Sequence, residues 1–185
     1  VMALAILPIL SIGGMQLIKT ETYEASDNAI PRARQLAGGI FGVYASLTFI
    51  WTAMLWLAGM SGFDALIHSM TTLATGGFSN YNESIGFFNS IAIEISAMVF
   101  IVLGSLPFIT YIKFISGNKT IFISDSQIKT FFKIIFISIL ILSIYLALND
   151  WSSFNLRSIF FNVISILTGT GYVNAQFDSW GGFSL

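Results

Sequence analysis

Long stretches with almost no charge dominate this sequence and limit what it can fold into. Four of them have a length near the roughly 20 residues that cross a hydrocarbon core, and Glu94 is the only charge inside any of them. They cover residues 1–18, 36–63, 85–112 and 134–149. With 55% hydrophobic and only 9% charged residues, the chain cannot cover a soluble globule with polar surface. The sequence therefore predicts an all-α membrane protein.

The polar residues that are missing exclude several functions. A formal net charge of -1 offers no basic face to nucleic acid. The chain has no Cys and a single His, which removes thiol nucleophiles, thiolate zinc sites and multi-His metal centres. An intramembrane protease or lipid transferase would need a nucleophile with a base or a metal cluster, and no His-Glu-x-x-His string is present. We therefore expect no enzyme.

The basic residues indicate which connections face the cytoplasm. Seven of the eight lie in or beside two linkers, 19–35 and 113–130: Lys19, Arg32, Arg34, Lys113, Lys119, Lys129 and Lys133. Positive charge is enriched in cytoplasmic loops, so both linkers are predicted to be cytoplasmic. Residues 62–84 and those from 150 onward then face outward.

Each outward region contains a helix-compatible segment that is too short to cross a membrane. The two segments cover 63–73 and 154–167, and each is followed by a Gly-rich break, 74–79 or 168–173. Eleven helical residues rise only about 16 Å, roughly half of the hydrocarbon core. A helix that descends halfway and returns as irregular backbone is a re-entrant loop.

Irregular backbone at membrane depth must be buried by protein or must meet water and ions, because unpaired amides and carbonyls are costly in lipid. Glycine permits positive φ angles that turn successive carbonyls toward one axis, where they can replace the hydration shell of a monovalent cation. An ordinary Gly/Thr turn would explain one such loop, but two in equivalent positions favour a selectivity filter. The predicted ion-binding residues are Ala74, Thr75, Gly76, Gly77, Thr168, Gly169, Thr170 and Gly171, with Phe78 and Tyr172 as filter support.

An internal repeat of about 94 residues connects the two loops. Gly77 aligns with Gly171, Phe78 with Tyr172 and Asn80 with Asn174. The predicted organisation is a closing helix 1–18 of a first repeat, a second repeat 36–112 and a truncated third repeat 131–185. Within them we expect helices 36–62, 85–112 and 131–149, pore helices 63–73 and 154–167, filters 74–79 and 168–173, and the start of a closing helix. Four such quadrants are needed to surround an ion, so we expect a fragment or a truncated product.

At these residues the sequence resembles the Trk, Ktr and HKT superfamily of potassium transporters, and within it most closely the bacterial TrkH/TrkG subunits. The resemblance covers nearly the whole chain. It is carried by Leu-Pro-Ile with Gly-Gly-Met-Gln-Leu running into Glu21, Gly-Met with Phe-Asp-Ala at the first pore helix, Ala-Thr-Gly-Gly-Phe-Ser from Ala74, and Thr-Gly-Thr-Gly-Tyr from Thr168. The resemblance implies a pseudo-fourfold, channel-like pore in the bacterial inner membrane that takes up K⁺ as its transported ion.

The resemblance also implies partners and leaves alternatives open. The full-length protein would be a homodimer in the lipid bilayer, with a cytosolic nucleotide-binding subunit of the TrkA type and without nucleic acid. A Na⁺-permeable relative is disfavoured by Gly77 and Gly171, and a structural membrane subunit would leave both loops without a purpose. The fragment itself is expected to be non-conducting, because two quadrants are too few to close around an ion.

Four further residues suggest individual roles. Asp64, near the start of the first pore helix, is expected to cap it, with cation attraction as a secondary role. Glu94 is a secondary ion-path candidate and is more simply paired at a helix contact. His68 is expected to hydrogen-bond a neighbouring quadrant, with pH sensing as the alternative. Arg157 is expected to point away from the mouth or to pair with Asp150.

Overall fold

This computed structural model describes residues 29–149, 155–175 and 180, without the side chains of 29–35 and 149. Every regular element in those ranges is helical, which confirms the all-α prediction. The α-helices are α1 Ala29–Leu57, α2 Gly62–Leu73, α3 Ile91–Ser105, α4 Phe108–Ile115, α5 Ile121–Ser124, α6 Ser126–Asn149 and α7 Leu156–Leu167, with a 3-10 helix Ser84–Phe88 before α3. The predicted helix 1–18 and most of linker 19–35 lie outside the described residues.

Within the described part of the chain, two helices are long and apolar enough to cross a membrane. They are Leu36–Leu57 within α1 and Ser126–Leu148 within α6, with mean hydropathies of 1.7 and 2.5. Their outward sides carry large apolar side chains in contact with the surroundings, such as Phe49 with 76% exposure. That surface is compatible with a lipid solvent, in which exposed apolar groups carry no penalty.

The single helix predicted over 85–112 is wrong. Residues from Ser84 to Phe88 form a 3-10 turn, and α3 and α4 are two helices bent by 86° at Leu106–Pro107. Proline disfavours helical geometry in the residue before it, and Leu106 is extended (φ -74°, ψ 148°). If the pair is counted as one broken span, the described residues contain up to three membrane crossings.

Other predicted boundaries shift for local reasons. The helix predicted over 36–62 ends at Leu57, because Gly59 adopts a φ of +104° and Met60 N–H closes the end on the Leu55 carbonyl. The helix predicted over 131–149 begins at Ser126, and the segment predicted as the linker 113–130 contains the end of α4 and the short helix α5.

The core lies where α3 meets α1, α2 and α7. Trp51 of α1 is fully buried and meets Phe100 of α3 edge-on at a 4.0 Å ring separation. At Gly104, α3 comes so close to the end of α2 that a β-carbon there would lie 3.1 Å from Leu73 Cα. This packing supports the backbone that follows α2.

Candidate functional site

The first re-entrant helix, α2, has well-defined ends. Ser61 is its N-cap, and the Ser61 hydroxyl accepts a hydrogen bond from Asp64 N–H at 3.1 Å. Its 12 residues rise about 18 Å, too little to cross a bilayer. After Leu73 the chain leaves the helix, with Gly76 N–H held by the Thr71 carbonyl at 2.7 Å.

The second re-entrant helix, α7, is built in the same way. Asn155 caps it by accepting from Arg157 N–H at 3.1 Å, so it begins at Leu156 rather than at 154. It also has 12 residues. Beyond Leu167, the amides of Thr170 and Gly171 both turn back to the Ser165 carbonyl.

Left-handed residues alternate along both loops. In the first loop Thr75 has a φ of +50° and Gly77 a φ of +62°, while in the second Gly169 has +75° and Gly171 +81°. Thr75 and Gly169 occupy equivalent positions, as do Gly77 and Gly171. Thr75 is β-branched, so a left-handed backbone strains it, whereas the equivalent Gly169 adopts this conformation without strain. Alternation of this kind turns successive carbonyls toward one side.

The two loops meet at Gly77. A β-carbon on Gly77 would lie 1.8 Å from the Thr170 carbonyl oxygen, so a side chain there requires the loops to move apart. No described atom lies within 4 Å of the corresponding position on Gly171. The structure thus brings the predicted filters of the second and third repeats side by side.

Tyr172 anchors the second loop behind the first. Its side chain is 1% exposed, and its hydroxyl lies 2.5 Å from Thr71 Oγ1 and 3.3 Å from Thr72 Oγ1. The His68 carbonyl oxygen is within hydrogen-bond distance of the same hydroxyl at 3.2 Å. Phe78, its equivalent in the first loop, has a 73% exposed ring and contributes its carbonyl, which accepts from Thr71 Oγ1 at 3.0 Å.

Asp64 does not cap α2, since that position belongs to Ser61. Its carboxylate instead ties the start of α2 to the segment after the loop, accepting from Asn80 Nδ2 at 3.0 Å and Tyr81 Oη at 3.0 Å as well as from Ser61 Oγ. The hydrogen bonds from Asn80 and Ser61 hold the pKa of Asp64 below its ordinary value. The hydrogen bond to the same carboxylate raises the pKa of Tyr81.

The ring nitrogens of His68 bond within its own repeat, whereas its backbone carbonyl accepts from Tyr172 Oη of the next repeat at 3.2 Å. Its fully buried ring places Nδ1 2.8 Å from the Asp64 carbonyl oxygen and Nε2 3.0 Å from Ser79 Oγ. The ring also stacks on Tyr172, with ring centroids 6.0 Å apart. Because Nδ1 faces a carbonyl, it carries the proton in the neutral ring, and Nε2 accepts from Ser79.

Glu94 is paired, as expected for a carboxylate at a helix contact. It is 3% exposed, and its Oε2 lies 3.1 Å from Arg157 Nε and 2.9 Å from Asn174 Nδ2. Arg157 thus pairs with Glu94, and the expected partner Asp150 lies outside the described residues. The pair joins α3 of the second repeat to α7 of the third.

Several residues at this seam were missed from sequence. Ser84 Oγ accepts from Val173 N–H at 3.2 Å, and Gly86 N–H donates to the Val173 carbonyl at 3.1 Å. The sequence signal that points to this seam is the Asn that follows each of Gly77 and Gly171 by three residues. Ser84 and Gly86 lie in an apparently unremarkable loop, and only the fold reveals their partner.

Two half-length helices leading into apposed, glycine-bent loops, beside membrane-length helices, define the class as an all-helical membrane protein. A family model described as TrkH, cation transport protein, matches residues 1–180. The chain belongs to the TrkH family.

Named relatives and a solved structure agree with this assignment. The Trk system potassium uptake protein TrkI of Halomonas elongata is 36% identical over 183 residues, covering 98% of this chain and 37% of that protein. The corresponding TrkH protein of Escherichia coli K12 is 33% identical over 186 residues, covering 97% of this chain and 38% of that protein. The crystal structure of the potassium transporter TrkH from Vibrio parahaemolyticus superposes with a TM-score of 0.75 at 26% identity, covering 99% and 38% of the two chains. The chain therefore spans about two fifths of the length of these relatives.

Proposed function

We propose that this chain forms part of the pore of a Trk-type K⁺ uptake system in the bacterial inner membrane. The observation that carries the proposal is the apposition of the two loops at Gly77 and Thr170, each bent by alternating left-handed residues. The relatives indicate which ion is transported, because both are named potassium uptake proteins.

The mechanism is dehydration by fixed carbonyls and involves no enzymatic step. A K⁺ ion entering from outside exchanges its water for carbonyl oxygens of 74–77 and 168–171, supplied together with those of further equivalent loops. The Thr71, Thr72 and Tyr172 hydroxyls hold the third-repeat loop against α2, which keeps the carbonyls at a set spacing. Rigid oxygens at the right distance favour K⁺ over the smaller Na⁺.

The assembly belongs to the same proposal. The full-length protein acts as a homodimer in the lipid bilayer, with its filters facing outward and its basic linkers inward. A cytosolic nucleotide-binding subunit of the TrkA type governs opening at a gate below the filter.

Complementation tests this function. The full-length protein should restore growth of a K⁺-uptake-deficient bacterium at low external K⁺. A version with Gly77 and Gly171 both replaced by Ala should reach the membrane and fail to do so. If the wild-type protein is present in the membrane without restoring growth or rubidium tracer uptake, the proposal is wrong. Uptake of Na⁺ and K⁺ at equal rates would instead identify a Na⁺-permeable relative.

A further inference from the structure

An asparagine follows each filter glycine by three residues, and both asparagines bind a carboxylate. Asn80 Nδ2 donates to Asp64 Oδ1 at 3.0 Å, and Asn174 Nδ2 donates to Glu94 Oε2 at 2.9 Å. The repeat therefore preserves the contact as well as the residue. In each case the bond fixes the backbone just outside the filter.

The carboxylate comes from a different element in the two repeats. Asp64 lies in the first turn of α2, the helix that leads into the same filter. The repeat places Ser158 at the equivalent position of α7, and Ser158 is 5% exposed and carries no charge. The third repeat obtains its carboxylate from Glu94 instead, in the first turn of α3 in the second repeat.

Glu94 also contacts the other end of the re-entrant segment in the third repeat, at the start of α7. Arg157, whose Nε lies 3.1 Å from Glu94 Oε2, stands in the first turn of α7, whereas Asn174 follows the filter. One carboxylate oxygen thus joins the start of the pore helix to the exit of the filter. The Arg157 cation occupies the oxygen that a permeating ion would need, which argues against Glu94 as an ion ligand.

The residues that follow the filter of the third repeat are hydrogen-bonded to the second repeat at two further points. Val173 is bonded through its N–H to Ser84 Oγ and through its carbonyl to Gly86 N–H. Tyr172 is bonded to Thr71 and Thr72. Farther along the chain, Asn174 donates a hydrogen bond to Glu94. Because the acceptor is a carboxylate, this is a charge-assisted and therefore stronger hydrogen bond.

We propose that Glu94 is a positioning residue for the third-repeat filter, taking the place in that repeat that Asp64 has in its own. It touches no permeating ion. By holding Asn174 and Arg157 together, it sets the distance between the two outer ends of the loop and thereby the spacing of the carbonyls of 168–171. This inference rests on the proposed K⁺ function.

Relocating the carboxylate tests the inference in the full-length protein. Glu94→Gln should lower the K⁺ over Na⁺ uptake ratio about tenfold, because a neutral amide oxygen accepts more weakly from Asn174 than a carboxylate does and no longer pairs with the Arg157 cation. Adding Ser158→Asp to Glu94→Gln restores an acid at the position equivalent to Asp64 and should recover most of the ratio. Glu83→Gln removes an exposed carboxylate next to the same seam and should leave the ratio unchanged.

Asn174→Leu provides a second variant that leaves the Glu94–Arg157 pair intact. It should lower the ratio in the same direction, and Ser158→Asp should not rescue it because the donor is gone. An unchanged ratio in Glu94→Gln and Asn174→Leu, or a loss that Ser158→Asp does not reverse in Glu94→Gln, overturns the inference. Should Glu94→Gln fail to accumulate, an unchanged ratio in Asn174→Leu overturns it alone. Failure of the wild-type protein to take up K⁺ would instead reject the proposed function.

Discussion

At the residue scale, Gly77 is the position with the least freedom. Its φ of +62° costs an ordinary residue about 1–2 kcal/mol, and its missing side chain makes room for the Thr170 carbonyl. Both constraints act on Gly77. Gly171 shares the positive φ, but no described atom lies within 4 Å of the position that its β-carbon would occupy. A glycine is therefore required here by conformation and by space together.

Replacing Gly77 by Ser should lower the K⁺ over Na⁺ uptake ratio roughly tenfold or abolish uptake, because about 1–2 kcal/mol of strain and a 1.8 Å contact must be relieved by moving the filter. Gly171→Ser should act in the same direction. Gly62→Ser, at an open and exposed helix position, is the matched control. Selectivity that stays at the wild-type value in Gly77→Ser would place the filter elsewhere.

Asp64 introduces a pH dependence. Because hydrogen bonds lower its pKa from 3.8, the ionised form stabilises the folded state; this contribution is present above pH 3.8 and is lost as the pH falls through the lowered value. Thermal unfolding of Asp64→Asn should occur at lower temperature than wild type near neutral pH. The difference should shrink as the pH falls below 3.8.

The exposed carboxylate Glu83 supplies the control for this experiment, since Glu83→Gln also removes one carboxylate and should unfold near the wild-type temperature at neutral pH. A wild-type minus Asp64→Asn difference that is constant with pH would mean that the carboxylate charge does not hold Asn80 and Tyr81.

At the scale of elements, Tyr172 fastens the third filter loop to α2. Tyr172→Phe removes one hydroxyl from a buried cluster and leaves Thr71 and Thr72 with fewer partners, at an expected cost of about 1–3 kcal/mol. Thermal unfolding of the purified protein measures this. Tyr44→Phe loses a single hydroxyl contact, 3.3 Å from the Met70 carbonyl in an exposed place, and should shift the unfolding temperature less. Equal shifts for both variants would contradict the anchoring role.

The same scale shows what sequence patterns can predict. The pore helix expected over 63–73 is Gly62–Leu73, and that expected over 154–167 is Leu156–Leu167, because caps and Gly-rich breaks are local signals. The helix expected over 85–112 was wrong although Pro107 was visible. A proline permits either a kink or a break, and the 86° bend is held by tertiary contacts such as Tyr111 Oη with the Leu103 carbonyl at 2.6 Å.

Some candidate site residues could likewise be predicted from the sequence, and others could not. The two glycine-bent loops were identifiable from glycine, threonine and the repeat, and their role as a filter stays a prediction. The partners of Glu94 were not, because Arg157 and Asn174 are 63 and 80 positions away and only the packing of α3 on α7 brings them together. The hydrogen bond expected between His68 and a neighbouring repeat involves its backbone carbonyl and Tyr172. The ring partner Ser79 was not predicted, because it depends on how the loop folds back.

At the scale of the whole molecule, the described residues display the seam between two repeats. Contacts run along its full depth, from Gly77 and Thr170 at the loops, through Tyr172 on α2, to Glu94 with its two partners. Each contact places a residue of the third repeat on a support from the second. In the proposed pore, a ring of such seams would make each filter depend on its neighbour, and selectivity would be a property of adjacent repeats together.

The orientation of this seam in the membrane follows from charge and is directly testable. Single cysteines can be introduced without competing thiols from this chain, which has none, provided that cysteines elsewhere in the full-length protein are replaced. Asn82→Cys, in the exposed segment after the first filter, should react with a membrane-impermeant maleimide added to intact cells that lack an outer-membrane barrier. Lys119→Cys, exposed in the basic linker, should react only after the cells are opened, because Lys and Arg mark the cytoplasmic side. Labelling of Lys119→Cys in intact cells, with Asn82→Cys protected, would invert the topology and place the filter entrance on the cytoplasmic side.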